Sequence, residues 1–220
     1  MNADKIEDKL KKLKEHIILY KKLWIMTAKA NGGAIFPVDM LSTAVTHRAM
    51  CLVSGFCDLI ERKNFICAAP LVRLMLDNLL RFYAVWLVDK PHDFATEILE
   101  GKEVRKIKDR NGNKMTDKYL VEQLSKEYNW LSNTYRETSG YIHLSSKHYF
   151  NTLKEFDDKA GTFTFAIGDN DTCIRNEFYD EAVEAMSEIS TAVMRYLYGW
   201  AYTKEDKAIA TKYGQEHHKK

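Results

Sequence analysis

Residues 64–89 read NFICAAPLVRLMLDNLLRFYAVWLVD, and the fold turns on how this stretch is read. Its apolar side chains, from Phe65 and Ile66 through Leu71, Val72, Leu74–Leu76, Leu79, Leu80, Phe82, Tyr83 and Val85–Val88, occupy nearly every angle of a helical wheel. A helix that is apolar all round belongs in the middle of a bundle, not on its surface. Arg73, Asp77 and Arg81 interrupt it at i, i+4 and i+8. At ~100° per residue the two arginines lie about 80° apart with Asp77 between them. Alternating charges on one face of a buried helix must pair, because an isolated buried charge is very costly. The stretch therefore predicts a central helix with an ion-pair ladder. The ladder either only fixes how neighbouring helices dock or underlies a polar site between them. Pro70 sets two options, a helix that begins near Ala68 or one that kinks there.

Working outward, the 220 residues are enough for one domain with a sizeable core. Three prolines and ten glycines favour long helices over a sandwich of short strands. The N-terminal segment carries Ile6, Leu10, Leu13, Ile17, Tyr20 and Trp24 as one apolar seam, stopped by Asn31-Gly32-Gly33. A second helix over 38–61 follows Pro37, with Leu41, Val45, Leu52, Phe56 and Leu59 along one stripe and His47 and Arg48 as its polar rim. Beyond the central helix, Asp93 can cap a short helix to Glu100, closed by Gly101. Thr116 and Asp117 start another that runs through Tyr128, and 130–149 reads as one further helix. Phe163, Phe165 and Ile167 then alternate with polar or small residues ahead of Gly168-Asp169-Asn170-Asp171, which predicts a β-hairpin near 162–175. A last long helix from Asn176 carries Tyr179, Val183, Met186, Ile189, Val193, Leu197 and Trp200. The expectation is one all-α helical bundle over 1–203, with a hairpin insertion. Residues 204–220 are expected to be a short helical turn and a frayed basic tail.

Composition narrows function mainly by exclusion. Lys plus Arg numbers 33 against 31 acidic residues, so the net charge of +2 calls for no polyanion by itself. The basic residues concentrate in KEVRKIKDRNGNK, 102–114, a solvated loop by default and a phosphate contact as the alternative. Cys51, Cys57, Cys67 and Cys173 lack CxxC spacing and read as reduced, mostly buried thiols of a cytoplasmic protein. The chain opens without the apolar core of a signal peptide, and three charges at the centre of 64–89 argue against a membrane span. No cofactor loop and no metal-ligand set is expected.

What remains is WLSNTYRETSGYIHLSSKHY, 130–149, dense in hydroxyl and imidazole groups. On one helix Arg136 and His143 would face within ~20° of each other, about 10.5 Å apart along the axis. An arginine grips a phosphate with its planar fork and a histidine moves protons near neutral pH. Together they suffice for RNA cleavage without a metal, the base taking the 2′-hydroxyl proton as that oxygen attacks the adjacent phosphate.

The segment Arg136-Glu-Thr-Ser-Gly-Tyr-Ile-His143 resembles the Arg–x4–6–His motif of the HEPN superfamily, and the succession of elements over about 40–200 resembles its uncharacterised bacterial members. The resemblance implies a compact helical bundle, a homodimer with two facing motifs, and membership of toxin–antitoxin or phage-defence systems, with RNA as substrate and an antitoxin or other protein as partner. It assigns phosphate binding to Arg136 and acid–base work to His143. Ser139, Tyr141 and His148 are supporting positions, with the Arg73–Asp77–Arg81 ladder beneath. The alternative is a non-catalytic interaction or sensor module, in which Arg136 pairs with Asp77 or another carboxylate and His143 hydrogen-bonds a buried backbone group.

Overall fold

The computed structural model describes residues 2–143 and 145–206, with side chains from Lys5 onward. Among the described residues the architecture is an all-α bundle of eight helices with one two-stranded antiparallel hairpin. The helices are α1 (Asn2–Lys29), α2 (Pro37–Glu61), α3 (Phe65–Tyr83), α4 (Pro91–Leu99), α5 (Asp117–Leu124), α6 (Leu131–Ser139), α7 (Ser146–Thr152) and α8 (Asn176–Glu205), and the strands are β1 (Leu153–Asp157) and β2 (Thr162–Phe165). No described helix is long and apolar enough to cross a membrane.

α3 is the central helix. Val72, Met75, Leu76, Leu79, Leu80 and Phe82 are buried along it, and it packs on α2, α8, α6 and α5. Its start is set by Asn64, whose side chain accepts the Cys67 N–H at 3.2 Å. Pro70 thus lies inside the helix, which does not wait for Ala68 to begin. The run does not stay α-helical to Asp89. It tightens into a 3-10 turn over Ala84–Leu87, and Arg110 donates to the carbonyls of Trp86, Leu87 and Val88. Those are carbonyls that the end of a helix leaves without intrahelical donors. The basic loop is therefore more than a solvated excursion. Val104, Ile107 and Met115 anchor it in the core, while the Asp109 carboxylate accepts the N–H groups of Asn111 and Asn113 at 2.9 and 2.8 Å.

α1 stops where expected, at Asn31 and Gly32, both in the left-handed region with φ of 52° and 67°. Its seam differs at one end. Leu10, Leu13 and Tyr20 are buried, but Thr27 and Ala30 continue the buried face and Trp24 is 47% exposed. The drift follows from the helix itself, since a strict 3.5-residue repeat rotates off a 3.6-residue helix by ~20° per heptad. In α4 the first turn starts at Pro91, so Asp93 lies within it and is not the cap. α5 ends at Leu124, short of Tyr128.

The region after Trp130 departs furthest from expectation. In place of one helix over 130–149 there are two, α6 and α7, separated by a turn. The hairpin lies at 153–165, earlier than the expected 162–175. Phe163 and Phe165 lie in its second strand, and the turn is at 158–161, where Gly161 has φ 63° and Asp157 Oδ1 accepts two backbone N–H groups. The segment around Asp171 is a connection that covers the start of α3, its carboxylate accepting the Ile66 N–H at 2.8 Å. α8 runs unbroken to Glu205, so Lys204 belongs to the domain and not to a tail. The expected frayed tail, at 207–220, lies outside the described residues. Of the cysteines, all free, only Cys57 is buried; Cys51 and Cys67 are exposed.

Candidate functional site

The ladder on α3 is paired, though not by α3 alone. Asp77 meets Arg81 at 2.9 Å and Arg48 of α2 at 3.1 Å. Arg81 continues to Asp117 of α5 at 2.5 Å, and Arg73 reaches the same carboxylate at 3.4 Å. Arg73 also stacks its guanidinium on Tyr135 of α6, 4.1 Å from the ring centroid. The network ties α2, α3, α5 and α6 together. It is less withdrawn from water than an all-round apolar wheel suggests, the Arg73 side chain being 13% exposed but Asp77 25% and Arg81 29%. Arg48 and Asp117 carry no signal in the sequence that singles them out, because their role depends on how α2 and α5 are docked.

Arg136 lies on α6 and takes no part in this network. Its side chain is 75% exposed, with Nη2 donating to Asn133 Oδ1 at 2.5 Å and Nε lying 3.4 Å from Glu137 Oε1. His143 is exposed on a bend beyond the helix. The same-face geometry of an uninterrupted helix therefore does not apply. After Ser139 the chain tightens, with Tyr141 N–H donating to Thr138 O and Ile142 N–H to Ser139 O, a three-residue hydrogen-bond spacing. The Arg136 guanidinium leans toward Asn133, one turn back, as helical side chains do. Arginine fork and imidazole are both exposed, one on the helix and one on the bend beyond it. Neither is walled in by the core, and the carboxylate beside Arg136 is Glu137 and not Asp77.

The turn has a physical cause. Lys147 of α7 lays its stem across Gly140, where a Cβ would meet Lys147 Cε at 3.2 Å. Its ammonium donates to the Glu137 carbonyl and to Glu137 Oε2, both at 2.9 Å, and sits 4.7 Å from the centroid of the Tyr141 ring. Ser145 Oγ donates to Gly140 O at 2.7 Å, and the Ser145 N–H donates to His148 Nδ1 at 3.2 Å. That last bond makes Nδ1 an acceptor and places the proton of a neutral ring on Nε2. Ser139, expected to support catalysis, spends its hydroxyl on Tyr135 O at 2.7 Å. Tyr141 packs edge-on against Phe65. Burial, with help from Glu137 and Glu181, pushes its phenol above the ordinary value. Lys147, and secondarily Arg136, holds the Glu137 carboxyl below its ordinary value.

Behind this corner a cavity of about 280 Å³ separates α3, α6 and α8, with Phe65, Val72 and Phe178 among its walls and Glu137, Lys147 and Tyr141 also lining it. In front of it the hairpin stands clear of the core. Phe156 and Phe163 stack at 4.6 Å, Phe163 and Phe165 at 6.3 Å, and Tyr149 abuts Phe165. All four rings are between 44% and 54% exposed. Among the described residues no group of three or more His, Cys, Asp or Glu is placed to hold a metal ion. Compared with protein-family models, curated proteins and solved structures, the chain matches none.

Proposed function

We propose that the chain is a HEPN-like helical interaction module whose working face is the corner formed by α6, α7 and the hairpin. One observation carries this reading, the row of Tyr149, Phe156, Phe163 and Phe165 on one side of a hairpin that the core does not cover. An isolated two-stranded hairpin is marginal in water, and contiguous exposed aromatic surface marks an interaction site. The corner holds as many carboxylates as fixed cations between Leu131 and Phe165, which favours a protein partner over a polyanion. A photoreactive phenylalanine at position 163 should give a discrete protein adduct in cells, lost with Phe156→Ser, whereas the same group at Lys11 should not. Equal labelling from both positions would refute the assignment.

A second reading, metal-independent RNA cleavage, keeps support from one observation. Arg136 and His143 are both open to solvent, and among the described residues Arg136 is held only by neighbours in its own helix. Purified protein incubated with total RNA in EDTA decides between the two. Under the interaction reading wild type and His143→Ala leave the RNA equally intact. Cleavage to 2′,3′-cyclic phosphate ends that falls at least ~10²-fold in His143→Ala replaces that reading with the enzyme.

A further inference from the structure

The opposite end of the bundle holds a cavity that the sequence does not announce. α1 ends, the chain turns through Ala30–Gly33, and α2 begins at Pro37. Between them lies a space of about 420 Å³, within the range of small-molecule pockets. Trp24, Ile35 and Met40 form its apolar walls, and they are 47%, 80% and 54% exposed. Asp39 and Lys204, 7% and 2% exposed, line it from the core side.

That buried pair is built with care for one partner and not the other. The Asp39 carboxylate accepts Trp200 Nε1–H at 2.7 Å and the Phe36 N–H at 2.8 Å, and lies 3.0 Å from the Lys204 ammonium as its counter-ion. The ammonium has three N–H donors. One goes to Thr27 O at 2.8 Å, and a second faces the Asp39 carboxylate of the ion pair. Among the described residues no oxygen takes the third. The Phe36 ring, 5.9 Å away, stands at the outer limit of a cation–π contact.

We propose that this cavity binds a small neutral amphiphile, its apolar body against Trp24, Ile35 and Met40 and a carbonyl oxygen accepting the third N–H of Lys204. Charge selects the head group. Asp39 and Lys204 already neutralise each other, so an anionic head competes with Asp39 in a low-dielectric site and a cationic head meets Lys204. A neutral acceptor completes the ammonium at no such cost. Single exposed apolar residues are ordinary. Three of them around a buried, incompletely satisfied donor make the combination expected of a ligand site.

The neutral naphthyl ketone prodan is a suitable probe, since its emission shifts to the blue in apolar surroundings. Added to the full chain, it should show a saturable blue shift with one site per chain, displaced by acetonaphthone and not by naphthoate at the same concentration. Thr43→Trp and Ala28→Trp fill the cavity from exposed lining positions without touching the ion pair. Each should weaken binding by at least about tenfold, the scale of one lost hydrogen bond or buried methylene pair, with an unchanged thermal midpoint. The double variant Asp39→Asn/Lys204→Met keeps the walls and removes the donor, and should lose about tenfold in affinity for the ketone. Absence of saturable binding, or equal binding by the Thr43→Trp chain, overturns the site. Displacement by naphthoate as readily as by acetonaphthone overturns the neutral ligand.

Discussion

Asp39–Lys204 and Arg136–Glu137 are both pairs of a carboxylate and a cation, and burial separates them completely. The first has side chains 9% and 1% exposed and a contact of 3.0 Å, with Trp200 and Phe36 donating to the carboxylate and Thr27 O accepting from the ammonium. The second has side chains 75% and 53% exposed and a contact of 3.4 Å. Two charges removed from water must satisfy each other, whereas two charges in water are screened and lose little when parted. The α1/α2/α8 end of the molecule is therefore held by its ion pair, whereas at the α6/α7 corner the Arg136–Glu137 pair holds little and the turn rests on Lys147 and Ser145. Fixed chemistry at one end and adaptable chemistry at the other follow from that difference.

The comparison breaks most visibly at Lys204. Lys204→Met leaves the Asp39 carboxylate buried with Trp200 and Phe36 still donating to it but without a counter-charge. Such a loss costs about 3–5 kcal/mol, a fall in thermal midpoint of roughly 10 °C for a domain of this size. Adding Asp39→Asn in the same chain should return most of it, because the stranded charge is gone. A single variant as stable as wild type in calorimetry would show that the pair does not hold this end.

The ladder on α3 stands between the two extremes and sharpens the scale. With Asp77 a quarter exposed and Arg48 42% exposed, Asp77→Ala frees Arg48 toward water and leaves Arg81 on Asp117. The expected cost is about 1–2 kcal/mol in urea unfolding. That is less than a fully buried ladder predicts. A cost equal to that of Lys204→Met would mean that the ladder is as dry as the Asp39 pair.

How much of this the sequence disclosed follows the same line. Long apolar runs and sharp stop signals are legible: the central place of α3, the Asn31-Gly32 stop, the Thr116 cap of α5 and the stripe of α8 all hold, although α3 closes at Tyr83 and exposes Cys67 and Leu74. Relations made by packing are not. Lys204 looks like any exposed lysine until α8 is laid against Thr27 and Asp39. The break between α6 and α7 contains no proline, and its cause is Lys147 crossing Gly140. The segment Tyr149–Asp157 mixes helix and strand formers, so its sequence does not mark the first strand of the hairpin, and the alternation of Phe163 and Phe165 marks the second alone.

Arg136 gives the smallest expected change in stability and the clearest reading of function. Its contacts, Asn133 Oδ1 and Glu137 Oε1, lie on its own helix and in solvent, and Glu137 keeps Lys147 at 2.9 Å when Arg136 is gone. Arg136→Ala should therefore stay within about 0.5 kcal/mol of wild type. Any loss of partner capture or RNA cleavage by that variant then belongs to the arginine's chemistry and not to unfolding. Arg136→Lys separates the remaining cases, since a point charge preserves long-range attraction but not the planar fork. Restoration by lysine assigns Arg136 a merely electrostatic part. A loss of stability beyond 1 kcal/mol in Arg136→Ala, an order-of-magnitude threshold set by exposed ion pairs, would mean that this corner is held as tightly as the Asp39 end, and the contrast between the two would fall.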